Sequence, residues 1–321
     1  MGPLNQNEKQ PGHPENGPNP TGDPLDSHAA VPALANLFLA LFIWVAGTGL
    51  SGFLAQTLAE KGWFTPDGAG KIQALSAASL LVFPAQLLVL VWMLRHPQTA
   101  CPPAVFGGMR PKGWLVLLAG GGAILASHGL WFGLGFVLTC FFGQNPESHP
   151  LNQLLSQSGK TGLLLVALQG CMVAPVLEEI LCRGYLQSLL GRLGFRTTVG
   201  VGMLVALMLL GFGLSPEKFQ GAFGKFNGFL IGLLLIFPWL VLSWAGHRLG
   251  EGRLAWAAVV AQAQIFSGLH ASSWPAPVAL LPLAIGLGWV RAQGQNLALC
   301  VLVHSAFNLV SLILAWCALS A

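Results

Sequence analysis

The sequence predicts an all-α protein: a polytopic transmembrane helix bundle of about 8–9 spans behind a disordered polar N-terminal tail. Two compositional observations point there. The chain is 54% hydrophobic and only 8% charged, where a soluble domain carries about 25% charged residues. Its mean hydropathy is +0.66. The third observation is the pattern: apolar segments long enough to span a bilayer alternate with short polar connections. Each such segment must be helical, because lipid offers no partner to an unpaired backbone group. The formal net charge of +4 is small and spread over the connections. It implies no nucleic-acid partner; the partner that the composition implies is membrane lipid.

Residues 1–30 are rich in Pro, Gly and Asn, too polar to offset ordering entropy, and read as a disordered tail. Residues 31–321 read as the transmembrane domain. Its first apolar run starts near Val31 and reads as a retained span rather than a signal peptide. The segments fall near 32–57, 73–94, 113–142, 161–191, 197–213, 227–246, 254–270, 276–290 and 297–319. Those at 197–213 and 276–290 are short for a span of about 20 residues. Glycines at 120–122, 129, 133 and 135 suit close helix approach. Leu151, Leu154 and Leu155 fit a short interfacial helix or a plain loop. The six cysteines form no CxxC pair and read as small residues of the bundle core. With nine spans, one side holds nine of the Lys and Arg residues and the other holds five. That bias predicts a multi-pass protein of the cell membrane with a cytoplasmic N-terminus.

The polar residues inside apolar sequence carry the functional signal. Eleven acids occur, and only Glu178 and Glu179 lie within a hydrophobic run. An ionised group at membrane depth costs roughly 2.5 kcal/mol or more and marks a functional site by default. Arg183 stands four residues after Glu179, on the same helix face, and can pair with it. Glu178 is rotated by roughly 100° and is free to point into a cavity. Pro175 frees a carbonyl one turn earlier. His270 follows Phe266 by four residues, and Asn308 follows His304 by four, each pair in an apolar segment. A carboxylate, two imidazoles and an amide on three segments supply a general base, a proton carrier and an oxyanion donor, and equally metal ligands. They are expected to converge on one water-accessible cavity. The lone His128 reads as a hydrogen-bonded core residue. For Glu179 with Arg183, a structural ion pair stands beside direct chemistry.

The stretches APVLEEILCRG, FSGLH and HSAFN resemble, in order, the three motifs of the CAAX-type prenyl endopeptidase and bacteriocin-processing (CPBP) intramembrane protease family. The segment from Phe106 is similar to that family's entry into an early helix, so the resemblance covers roughly residues 100–320. It implies an α-helical intramembrane endopeptidase. Glu178 would activate water, helped by His270; His304 and Asn308 would stabilise the oxyanion; Glu179, Arg183 and Phe266 would order the site. For cofactors it implies two readings. One is a divalent metal such as zinc held by Glu178, His270 and His304; the other is a glutamate mechanism without metal. The expected substrate is a peptide or protein, lipidated or not.

Two departures stand out. Cys182 replaces a common Phe, and an extra helical hairpin, 197–246, separates the first two motifs. The second function class is a non-catalytic scaffold or immunity protein with the same fold, which loss of a motif residue would favour; all are present. The third, a transporter or proton channel, would need internal symmetry and polar residues through the full depth, and the sequence has neither. No HExxH and no Asp within a span occur, which argues against other intramembrane protease chemistries.

Overall fold

The computed structural model describes residues 27–65, 67–95, 113–144, 162–193, 195–214, 221–249, 253–294 and 296–320. Among them every regular element is helical. Nine helices follow in order: α1 (Ser27–Glu60), α2 (Gly68–Arg95), α3 (Gly113–Phe142), α4 (Gly162–Leu190), α5 (Phe195–Gly213), α6 (Gly221–Leu249), α7 (Arg253–Gly268), α8 (Ala276–Gly294) and α9 (Leu297–Ser320). Six of these (α1–α5 and α9) contain stretches long and apolar enough to cross a membrane, and α6 and α8 contain shorter apolar stretches, Gly224–Leu240 and Ala276–Ala292. The helices nevertheless run past the apolar segments, with α1 starting at Ser27, α2 at Gly68 and α6 at Gly221. Hydropathy sees the lipid-facing part, whereas backbone hydrogen bonding continues into the polar ends. Most of the tail (1–26), the segment 106–112 and the possible helix at 151–155 lie outside the described residues.

The helices form a bundle whose outer face is apolar, with Phe212, Leu125 and Phe38 among its strongly exposed side chains. That is what a lipid-facing surface requires. The remaining helix, α7, is the inner one: from Ala257 through Ser267 every residue is buried. Helices α5, α6 and α8 and the end of α4 pack around it. Small residues make this fit. Where α5 crosses α7, a Cβ at Gly202 would stand 2.5 Å from the Ala261 Cβ, closer than side chains tolerate. The helices of the expected hairpin are present as α5 and α6, but they pack on α7 far more than on each other. Helices α1 and α2 pair and cover one side of α4, while α9 packs on α3, α4 and α8.

Prolines within these helices leave carbonyls without their helical donor, and buried amides answer them. In α6, Pro238 frees the Leu234 carbonyl; the Gln264 amide of α7 donates to it at 3.0 Å and to Leu235 O at 2.8 Å. The Gln264 carbonyl in turn accepts from Trp239 Nε1 at 3.1 Å. The same device recurs in the candidate site.

Candidate active site

Helix α4 is irregular where its carboxylates lie. π-helical turns at Gln169–Val173 and Ile180–Leu186 flank the short α-helical stretch Ala174–Glu179. Such turns occur mostly as single bulges and are frequent at functional sites. In the first, the Ala174 N–H bonds Gln169 O, five residues back. By the same offset the Gly170 carbonyl would need the N–H of Pro175, which proline lacks. The Asn308 amide fills that vacancy, Nδ2 donating to Gly170 O at 2.7 Å. The pair of motif residues on α9 is thereby tied to the helix that carries the carboxylates.

The two carboxylates differ sharply. Glu179 is fully buried, while the Glu178 side chain is 26% exposed. Glu179 Oε1 accepts from Arg183 Nη1 at 2.9 Å and from His304 Nδ1 at 2.8 Å. Because a carboxylate only accepts, His304 carries its Nδ1 proton toward Glu179, which leaves Nε2 facing Glu178, 3.8 Å from Oε2. Glu179 thus orients the imidazole, and the imidazole presents its other nitrogen to Glu178. Arg183 is held further by Nη2 donating to Ala284 O at 3.3 Å and by its guanidinium lying 4.6 Å over the Phe266 ring. Glu179 Oε2 and Arg183 Nε are buried without a protein partner.

Phe266 is the hub between the motifs. Its ring centroid lies 5.0 Å from that of His270 and 5.8 Å from that of His304. Expected inside a helix, His270 stands instead in the turn after α7, which ends at Gly268. A turn there lets the ring fold back, so that its Nδ1 donates to Phe266 O at 3.0 Å and Nε2 is the outward atom. The turn is anchored by Trp274, whose indole N–H donates to buried Asn227 of α6 at 2.9 Å.

Glu178, Glu179, Arg183, Phe266, His270 and His304 are therefore joined in one chain of contacts, and Asn308 lies one turn along α9 from His304. Among the described residues no hydrogen bond or ion pair links Glu178 to His270. Neither of two larger cavities in the bundle is lined by Glu178. Nor do any three His, Cys, Asp or Glu residues among those described form a metal-binding group. A catalytic zinc takes three protein ligands, and Glu178, His270 and His304 are the residues that would supply them. Sequence reading missed the π-turns and the carbonyl that Asn308 serves. Gly170 and Pro175 were the available signal, since a proline five residues after a carbonyl leaves it open in a π-turn.

A buried carboxylate–imidazole–guanidinium cluster in an apolar helix bundle defines an integral membrane protein with a polar centre. A family model described as type II CAAX prenyl endopeptidase Rce1-like matches residues 160–246 and 235–310. Those residues hold all three motifs, and the match agrees with the motif resemblance. The match supports, in the broad sense, a CAAX-protease-type hydrolase of peptides or proteins in a membrane. No curated protein and no solved structure matches the chain.

Proposed function

We propose that the protein is an intramembrane endopeptidase in which Glu178 is the general base. The observation that carries this reading is the paired arrangement of the carboxylates: Glu179 buried on Arg183 and His304, Glu178 partly exposed and 3.8 Å from His304 Nε2. Glu178 takes a proton from water, and the resulting hydroxide adds to the substrate carbonyl carbon. His270, with Nδ1 committed to Phe266 O, offers its unprotonated Nε2 to orient that water. The oxyanion forms beside α9. Asn308 spends one amide proton on Gly170 O and keeps the other for the oxyanion. His304, held through Nδ1, borrows that proton from Glu178 at Nε2, donates it to the oxyanion as a hydrogen bond, and returns it to Glu178 as the intermediate collapses. Glu178 then passes its proton to the leaving amine, and the C–N bond breaks. Glu179 and Arg183 hold His304 and touch no reacting atom.

The substrate is a peptide or protein, lipidated or not, that reaches the site from lipid. The Lys/Arg bias supports a cell-membrane protein with a cytoplasmic N-terminus. The test compares the membrane proteomes of cells carrying wild-type protein and Glu178→Gln. Fragments present only with wild type are expected. Identical fragment sets would overturn the protease reading in favour of a non-catalytic scaffold or immunity protein.

A further inference from the structure

Helix α9 meets the carboxylates of α4 through His304 and Asn308. Something must set the rotation that aims these two side chains, and the neighbouring face of α9 shows what does. A Cβ added at Gly120 of α3 would stand 2.8 Å from Val303. Two turns along, His128 of α3 meets Ser311, with Nε2 3.1 Å from the Ser311 Oγ. Both pairs are 183 residues apart, so the two helices run parallel and in register. Between these points Phe307 fills the seam, its ring centroid 4.6 Å from that of His128. Residues 303, 307 and 311 thus face α3, while 304 and 308, each roughly 100° further round, face α4.

The two ends of the seam differ. At Gly120 the backbone is close enough for packing alone to fix the approach. Beside His128 a cavity of about 280 Å³ opens, lined by Ser127, His128, Phe307, Ser311 and Leu314. Packing leaves space there, so the hydrogen bond and the ring contact do the holding. His128 is well suited to it: Nδ1 donates to its own-turn carbonyl, Ile124 O, at 2.9 Å, which fixes the ring and directs Nε2 across to Ser311. The Ser311 hydroxyl also lies 3.1 Å from Phe307 O, so its one proton serves two acceptors and ties the latch to the helix turn that carries Asn308.

We propose that His128 is a positioning residue for the α9 half of the site: through Ser311 and Phe307 it sets the rotation of α9 that brings His304 and Asn308 to α4. The proposal rests on the protease reading for its kinetic consequence, though not for its structural one.

Four variants separate the terms. His128→Leu and Ser311→Ala each remove the hydrogen bond. His128→Gln keeps an amide where Nε2 stood and can still reach Ser311, whereas His128→Asn reaches only the Ile124 carbonyl. Kinetics are read on a fragment substrate found by the proteome comparison. His128→Leu, Ser311→Ala and His128→Asn are expected to lower kcat roughly 10- to 100-fold with KM unchanged, the scale of an ångström-sized misplacement. His128→Gln is expected to restore most of it, and the Leu/Ala double variant to be no worse than either single, because the two share one contact.

The second readout needs no activity. Cys171 of α4 packs against the cluster that Leu312 and Ala315 of α9 form with Val166. In a Leu312→Cys background, cross-linking of the two cysteines by a short bis-methanethiosulfonate reports the rotation of α9 on α4. The yield is expected to fall severalfold with His128→Leu and to recover with His128→Gln. Wild-type kcat and wild-type cross-linking in both His128→Leu and Ser311→Ala would overturn the proposal, as would a Gln variant no better than Leu in both readouts. Should His128→Leu fail to fold, Ser311→Ala and His128→Asn decide. Should wild-type protein cleave nothing, the protease reading fails while the cross-linking yield still decides this one.

Discussion

Replacing Arg183 with alanine removes three interactions at once: the 2.9 Å bond to Glu179, the bond to Ala284 O and the contact over the Phe266 ring. Glu179 has no exposed surface, so the carboxylate cannot turn to water. Stranding one partner of a buried pair costs about 3–5 kcal/mol. His304 keeps its bond to the same oxygen, which places this loss at the low end, about 3 kcal/mol. The desolvated cation–π contact adds about 1–2 kcal/mol. We expect Arg183→Ala to lose about 4–5 kcal/mol in total, read as a fall of roughly 10 °C in the Tm of the detergent-solubilised protein. The control is Glu179→Gln combined with Arg183→Met, which removes both charges and keeps the volume. Most of the stability should return in the double variant, because neither charge is then left unpaired. An Arg183→Ala protein within about 1 kcal/mol of wild type yet inactive would refute the reasoning and assign the guanidinium to substrate.

Glu178→Gln should lower turnover by about 10²–10⁴-fold, the contribution of a general base, while thermal stability stays level or rises, since Glu178 makes no bond shorter than 3.8 Å in this cluster. Activity should survive metal chelation under the glutamate mechanism proposed above; a loss that added zinc alone reverses would refute that mechanism and make Glu178, His270 and His304 metal ligands. Gln264→Leu should cost about 1–3 kcal/mol in thermal unfolding by leaving the Leu234 carbonyl without a donor. Asp67 caps α2, accepting from the Gly70 N–H and the Thr65 hydroxyl, and both hold its carboxyl below the usual carboxylate range. That stabilisation is present above the unfolded carboxylate pKa and is lost as pH falls through the folded one. The protection of first-turn amides of α2, measured against their intrinsic exchange rates, should therefore fall in acid, and Asp67→Asn should abolish that pH dependence.

Much of this protein was legible without coordinates. Charge is costly in lipid, so composition alone separates membrane from solution, and a Glu pair inside an apolar run declares itself. The spacing of Glu179 to Arg183 brought them onto one face because helix geometry is local. The three motifs pointed to the same family as the model match because each motif is short and local. What lay beyond the sequence is what depends on contacts between distant segments. The depth difference between Glu178 and Glu179 comes from the packing of α9 against α4, with Ala284 of α8 holding Arg183, and adjacent residues of the same type carry no sign of it. His270 belongs to a turn rather than a helix because α7 must end where the chain reverses into α8. In the first π-turn the Gly170 carbonyl stands opposite Pro175, which has no N–H to give, and it finds its donor 138 residues away on Asn308. His128 reads from sequence as a hydrogen-bonded core residue, and its partner Ser311, 183 residues distant, leaves no local trace. Local periodicity and solvent cost determined which residues would sit in the membrane; only tertiary packing decided which nitrogen of which imidazole faces which carboxylate.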